Sequence, residues 1–159
     1  MKASKCQELA ELLKQKNWTL CSCESCTGGL FAAEMTEIPG VSSFFKGGVV
    51  TYWTQIKTDV VHVSRDTVDK YGVVSEQTAG EMAEKCAELM QCDCSVAFTG
   101  NAGPGVMEGK PAGLICTAIH IKGKTRVMTD HLQQGRNENR RRIVELTAQR
   151  FVEMIKAMD

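Results

Sequence analysis

Three residues close together in the sequence, Ser42, Tyr52 and Lys57, are of types that support hydrolysis of an amide or ester. If Thr54 caps a short helix, Lys57 lies in its first turn, where the helix dipole disfavours a cation and would lower the pKa of the lysine. A neutral lysine can accept the proton of a serine hydroxyl, as in Ser–Lys hydrolases, and a tyrosine can relay that proton. From spacing alone, a turn serine, a strand tyrosine and a solvated lysine are the more usual interpretation, and the catalytic one stays open beside it.

Two glycine-rich loops follow predicted strands and are the second candidate feature. The first runs from Ser25 to Gly29 and the second from Thr99 to Pro104. Glycine lets a backbone approach a ligand closely, and ligands bind at the carboxyl ends of strands in a wound α/β sheet. Neither loop is a Walker loop, because no G-K-[ST] step follows, and each could also be a plain tight turn.

Arginines crowd the start of the last predicted helix, at positions 136, 140, 141 and 142. Cations at a helix N-terminus oppose the dipole, so something should compensate for them. They are either solvated, or they face a phosphate or carboxylate of a ligand or an acidic patch on a neighbouring subunit.

The eight cysteines are interpreted as small buried residues. Without an export signal, reduced thiols are favoured over disulfides, and the spacings C-x-C-x-x-C and C-x-C are not those of a zinc ribbon. The three histidines, His62, His120 and His131, show no metal-ligand spacing and are interpreted as structural. A zinc or redox protein built on the cysteines is the alternative that a metal assay would detect.

The elements that must position these residues follow from periodicity. Strands alternate with amphipathic helices, and then come a hairpin around Lys122–Lys124 and a final helix, which predicts one three-layer α/β/α domain with a mixed sheet over residues 1–159. A net charge of 0 argues against a general nucleic-acid binder. No apolar run reaches the roughly 18 residues that a membrane span needs, and we expect a cytoplasmic protein.

The order of these motifs resembles the CinA C-terminal domain family over about residues 5–155. The matching motifs are Glu24–Gly29, Gly48–Tyr52 with Lys57 behind it, Gly72–Glu76, Thr99–Pro104 and a K-P-x-G step at Lys110–Gly113. The resemblance implies the stand-alone form of that domain, with no room for the N-terminal domain of longer CinA proteins.

The resemblance also implies a reaction. Nicotinamide mononucleotide and water would give nicotinic acid mononucleotide and ammonia, a step in pyridine nucleotide salvage that needs no metal or cofactor. The family's catalytic serine lies in a G-S-S loop ten residues before the tyrosine and fifteen before the lysine, which makes Ser42 its counterpart beside Tyr52 and Lys57. The substrate-binding residues so implied are Ser25, Thr27, Gly28, Gly29, Thr99, Gly100, Gly103 and Arg141.

The alternative function is an inactive CinA-like ligand-binding or interaction domain linked to competence or recombination. Retention of a serine, a tyrosine and a lysine at the family spacing favours the enzyme, because a binding module needs none of that chemistry. Expected partners are a small nucleotide substrate and further copies of the chain, with no membrane or direct nucleic acid. The sequence departs from the family pattern at Val41, at Asn101, in a shorter 105–109 loop and at Arg136-Asn137, which leaves substrate identity more open than reaction type.

Overall fold

Five β-strands form one mixed sheet at the centre of the computed structural model, which describes residues 3–159. The strands are β1 (Leu20–Glu24), β2 (Phe45–Val50), β3 (Cys94–Gly100), β4 (Leu114–Ile121) and β5 (Lys124–His131). Their spatial order is β2-β1-β3-β4-β5. Strand β1 is parallel to both β2 and β3, whereas β4 is antiparallel to β3 and β5. The predicted mixed sheet and terminal hairpin are therefore confirmed.

Helices cover both faces of this sheet. They are α1 (Lys5–Lys16), α2 (Leu30–Thr36), α3 (Thr54–Asp59), α4 (Arg65–Tyr71), α5 (Glu76–Met90) and α6 (Arg136–Ala157), with a 3-10 turn at Val41–Ser43. One core contains Leu13, Phe31 and Phe151 from α1, α2 and α6 against the sheet. The other contains Met82 and Cys86 from α5 against the opposite face. The predicted three-layer α/β architecture is confirmed.

Side-chain caps explain where two of the helices begin. The Ser4 hydroxyl accepts from the Gln7 amide in a capping box before α1, and the Ser75 hydroxyl accepts from the Thr78 amide before α5. The predicted Thr54 cap is wrong. Trp53 holds the extended N-cap position of α3, with φ −84° and ψ 146°, and no side chain caps that helix. The helix-dipole reason for a neutral Lys57 therefore loses its premise.

The cysteines lie mainly in the two cores, as predicted. Seven are buried, Cys92 is half-buried, and all eight are free thiols. Cys21 and Cys23 lie on one face of β1, and the Cys21 Sγ is 3.6 Å from the Cys86 Sγ of α5. Within residues 3–159, no three His, Cys, Asp or Glu side chains are grouped as a metal site would require. In the same residues, no helix combines the length and the apolar character of a membrane span.

Candidate active site

A cavity of about 290 Å³ opens at the carboxyl ends of β1, β2 and β3. These three parallel strands end at the same edge of the sheet, so the loops that follow them meet there. The cavity is lined by Ser25, Cys26, Tyr52, Gly100, Asn101, Ala102, Gly105, Val106, Met107 and Arg136. The two glycine-rich loops predicted to bind a ligand therefore both reach one cavity.

A buried Ser–Lys pair lies at the floor of this cavity. The Lys57 Nζ is 3.0 Å from the Ser25 Oγ and 2.6 Å from the Thr51 carbonyl oxygen. Ser25 is 8% exposed and Lys57 is 1% exposed, so the serine reaches the cavity while the lysine lies behind it. The geometry is that of a nucleophile held against its base.

Burial controls the protonation of Lys57. Desolvation lowers the pKa of Lys57 from its ordinary value of 10.5, against smaller opposing effects of Cys23, Cys26 and Glu108 that raise this pKa. None of the salt bridges found among residues 3–159 involves Lys57. A buried lysine without a carboxylate partner is the kind that supplies a neutral amine.

Glu24 fixes the backbone that carries Ser25. Its carboxylate is 1% exposed and accepts from the Thr27 hydroxyl at 2.7 Å and from the amides of Phe31 and Ala32 at 2.9 and 3.1 Å. The Ser25 amide donates to the Phe98 carbonyl of β3 at 2.9 Å. The loop is therefore held on both sides of the serine, and its position is set before any ligand binds.

Tyr52 and Arg136 form the outer part of the site. Arg136 donates to the Tyr52 hydroxyl at 3.1 Å and to the Gly103 carbonyl at 2.8 Å. Arg140, one turn further along α6, donates to the carbonyls of Cys26 and Thr27 at 3.1 and 2.9 Å. Arg136 thus brings a positive charge to the mouth of the cavity, and Arg140 braces the loop that follows Ser25.

Ser42, the predicted nucleophile, lies at the other end of the sheet. It is exposed in the 3-10 turn that precedes β2. Phe44 follows this turn, and its carbonyl accepts from the Leu20 amide, so the turn lies beside the start of β1. Tyr52 and Lys57 follow the far end of β2, and a six-residue strand separates its ends by roughly 16 Å. The structure therefore joins Lys57 to Ser25 and does not bring Ser42 to it.

Some of the predicted binding residues lie at the cavity and others are buried beside it. Gly100 lines the cavity and the Gly103 carbonyl holds Arg136, whereas Thr27 and Thr99 are buried and turn their hydroxyls to Glu24 and to the Val73 carbonyl. Gly28 and Gly29 have positive φ angles of 60° and 103°, which glycine adopts readily at the turn into α2.

Arg141 does not reach the cavity. It is exposed and takes part in none of the side-chain hydrogen bonds or salt bridges found among residues 3–159. The arginines of the site are Arg136 and Arg140, which the sequence showed only as members of a basic cluster. Glu24 was also missed as a structural centre, although it directly precedes the glycine-rich loop.

Comparison with known proteins agrees with this architecture. The family model described as the CinA C-terminal domain matches residues 2–155. A competence-damage inducible protein of Listeria innocua is 43% identical over 135 residues, which cover 84% of this chain and 32% of that protein. One from Limosilactobacillus reuteri is 40% identical over 125 residues, covering 78% of this chain and 30% of that protein. The chain thus spans about a third of the length of these curated relatives.

Solved structures match over nearly their full length. A competence-damaged protein (CinA) superfamily protein of Klebsiella pneumoniae has a TM-score of 0.94 at 27% identity, covering 96% of each chain. The competence/damage inducible protein CihA of Agrobacterium tumefaciens has a TM-score of 0.82 at 33% identity, covering 99% of this chain and 98% of that one.

Proposed function

Because the chain belongs to the CinA C-terminal domain family, we propose that it is a serine amidohydrolase that deamidates nicotinamide mononucleotide. The observation that carries the proposal is the 3.0 Å contact between the Lys57 Nζ and the Ser25 Oγ, both in buried residues. The chain retains both partners of a nucleophile–base pair and a cavity in front of them, which a pure binding domain does not need.

Ser25 takes the role of nucleophile in this proposal in place of Ser42. Its hydroxyl lines the cavity and meets Lys57, whereas Ser42 is exposed beyond the opposite end of β2. A base must lie within hydrogen-bond reach of the proton that it removes, and only the first serine satisfies this with Lys57.

The reaction has two half-reactions with balanced proton transfers. In the first, the Ser25 Oγ bonds to the carboxamide carbon while its proton moves to the neutral Lys57 amine. The tetrahedral intermediate then breaks its C–N bond while the lysine ammonium gives this proton to the amide nitrogen, which leaves as ammonia. In the second, Lys57 removes a proton from water as the hydroxide attacks the acyl carbon. The ester bond to Ser25 then breaks, and the lysine ammonium returns the proton to the Ser25 Oγ, which gives the acid, the free serine and the neutral base.

The Thr51 carbonyl orients the base during both steps. It accepts from the Lys57 Nζ at 2.6 Å, so the remaining positions on the nitrogen point to Ser25 and its surroundings. Tyr52 lies at the mouth with its hydroxyl on Arg136, where it can contact the leaving group or the incoming water. The main-chain amides after Ser25 are the natural donors for the oxyanion.

The charge at the cavity fits a substrate with a phosphate. Arg136 is exposed and its side-chain contacts are a carbonyl and a phenol, so its positive charge is not neutralised by either. A guanidinium beside a cavity binds phosphate through paired N–H groups. The cavity volume of about 290 Å³ is close to the lower limit of roughly 300 Å³ for small-ligand sites. Self-association and a cytoplasmic location remain predictions.

The test is ammonia release from nicotinamide mononucleotide by the wild type and by Ser25→Ala and Ser42→Ala. We expect Ser25→Ala to lose about 10³-fold or more in kcat, since the nucleophile is gone, and Ser42→Ala to stay within about twofold. A fluorophosphonate probe should label Ser25 and not Ser42, as read by mass spectrometry of the digested protein. Equal activity of Ser25→Ala and wild type would refute the assignment. Binding without ammonia would favour the ligand-binding alternative.

A further inference from the structure

The loop that lines the cavity after β3 presents two exposed apolar side chains. This rim loop, residues 102–110, follows β3 and contributes Gly105, Val106 and Met107 to the lining. Val106 is 55% exposed and Met107 is 49% exposed. Covering exposed apolar side chains at the mouth of a cavity with a ligand is favourable, because it removes apolar surface from water.

Asn101 fixes the main chain of Met107 from below. The Asn101 side chain is buried, with 4% of the residue exposed, and its Nδ2 donates to the carbonyls of Met107 and Lys110 at 3.3 and 3.1 Å. Its Oδ1 accepts from the Met107 amide at 3.2 Å. Both backbone polar groups of Met107 are therefore bound by one side chain, which an aliphatic residue cannot do.

Further contacts fasten the two ends of the rim loop. Asn139 of α6 donates to the Ala102 carbonyl at 3.0 Å at its start. Near its end, the Glu108 carboxylate accepts from the amides of Val73 and Val74, each at 2.9 Å. The loop is thus held in place before a ligand binds, and the Met107 side chain projects from a fixed backbone.

We propose that Asn101 is a positioning residue that holds Met107 as a specificity-determining contact for the planar ring of the amide substrate. The inference rests on the proposed function, because Ser25 must bond to the carboxamide carbon and the ring attached to that carbon then occupies the cavity beneath the rim loop. A thioether packs well on an aromatic ring. The contact is equally present in the ground state and the transition state, so it changes substrate affinity and leaves the chemical step alone.

The experiment measures binding of nicotinamide mononucleotide by calorimetry in a Ser25→Ala background, where turnover cannot interfere. Adding Met107→Ala should raise Kd about tenfold, Met107→Leu should restore it to within about threefold, and Asn101→Leu should raise it like Met107→Ala. Met158→Ala is the matched control, since this methionine is 54% exposed just beyond the far end of α6. In chains that retain Ser25, Asn101→Leu should also speed protease cleavage within residues 102–110 about tenfold.

The outcomes separate this inference from the proposed reaction. Equal Kd values with and without Met107→Ala, or a matching loss in Met158→Ala, refute the inference alone. Tight binding to Ser25→Ala without ammonia release by the wild type refutes the reaction alone. No binding to Ser25→Ala would refute the inference, and if the wild type also released no ammonia it would overturn the reaction as well. If Asn101→Leu weakens binding but leaves protease cleavage of the rim loop unchanged, Asn101 does not act through the loop and its positioning role is refuted.

Discussion

Replacing Lys57 by methionine separates the chemical role of this lysine from its part in folding. The side chain is 1% exposed, and its Nζ bonds to the Ser25 hydroxyl and the Thr51 carbonyl. Methionine is unbranched and adaptable, and it fills a similar space without a nitrogen that can accept a proton. We therefore expect a folded protein that lacks the base of the proposed reaction.

Two opposing effects keep the change in stability small. Losing the two hydrogen bonds of Lys57 costs about 2 kcal/mol, and the Thr51 carbonyl left without this donor costs about 1 kcal/mol more. Burying the amine has a free-energy cost, which is seen in the lowered pKa of Lys57. Removing the amine removes this cost and so stabilises the folded protein. The free energy of unfolding near neutral pH should change by no more than about 2 kcal/mol.

The change in rate should be far larger. Loss of a general base that also activates the nucleophile lowers kcat/KM by about 10³-fold or more, which is about 4 kcal/mol of transition-state stabilisation. The assays are ammonia release from nicotinamide mononucleotide and urea unfolding. Lys46→Met is the matched control, because Lys46 is an exposed lysine of β2 whose Nζ bonds to the carbonyls of Met90 and Gln91.

The pH dependence of unfolding gives an independent check. Because the pKa of Lys57 is lower in the folded protein than in the unfolded chain, the unfolded chain binds more protons between those two pKa values. The free energy of unfolding contributed by this group therefore rises as pH increases through that window, and Lys57→Met should lack the rise. Activity of Lys57→Met within tenfold of the wild type, or an equal loss in Lys46→Met, would refute the reasoning.

Three further outcomes follow from the same geometry. In the wild type, kcat/KM should rise with pH and level off above the pKa of Lys57, which burial lowers from 10.5. A profile that is flat on the acid side of this pKa would contradict the prediction. Glu24→Gln should lower the free energy of unfolding by about 2–4 kcal/mol in urea titrations, because its NH2 group would face N–H and O–H donors that now bond to a carboxylate oxygen. An unchanged urea midpoint of unfolding would show that the carboxylate is not needed. Arg136→Gln should raise KM about tenfold for nicotinamide mononucleotide but not for nicotinamide riboside, which lacks the phosphate; equal effects on both would exclude a phosphate contact.

The sequence predicts the sheet and the edge at which the site lies, because periodicity and the glycine-rich loops after β1 and β3 both have local signals. It does not predict which serine meets Lys57. Ser42 is fifteen residues from Lys57 in sequence, yet β2 runs between them, whereas Ser25 is 32 residues away and in contact. Sequence separation is a poor guide here because a strand moves the chain from one edge of the sheet to the other.

The sequence also does not predict which arginines of α6 face the site, and the position of each residue around the helix axis explains why. Arg136 and Arg140 are four residues apart and therefore lie on one face of the helix, which turns toward the cavity and the loop after Ser25. Arg141 lies about 100° further round the same helix and is exposed. Composition identifies the basic cluster, but the face that packs against the site is decided by the tertiary contacts of α6.

The position of Ser25 follows from the sheet order. Strand β1 is the one strand in the described chain with parallel neighbours on both sides, so the loop after it is flanked by the ends of β2 and β3. From the β2 side come Thr51, Tyr52 and the buried Lys57, and from the β3 side come Asn101 and the rim loop. Because β4 is antiparallel to β3, the loop that follows β4 lies at the opposite end of the sheet and not beside Ser25. A nucleophile on the loop after β2 or β3 would have a parallel neighbour on one side alone, whereas Ser25 has the base on one side and the rim loop on the other.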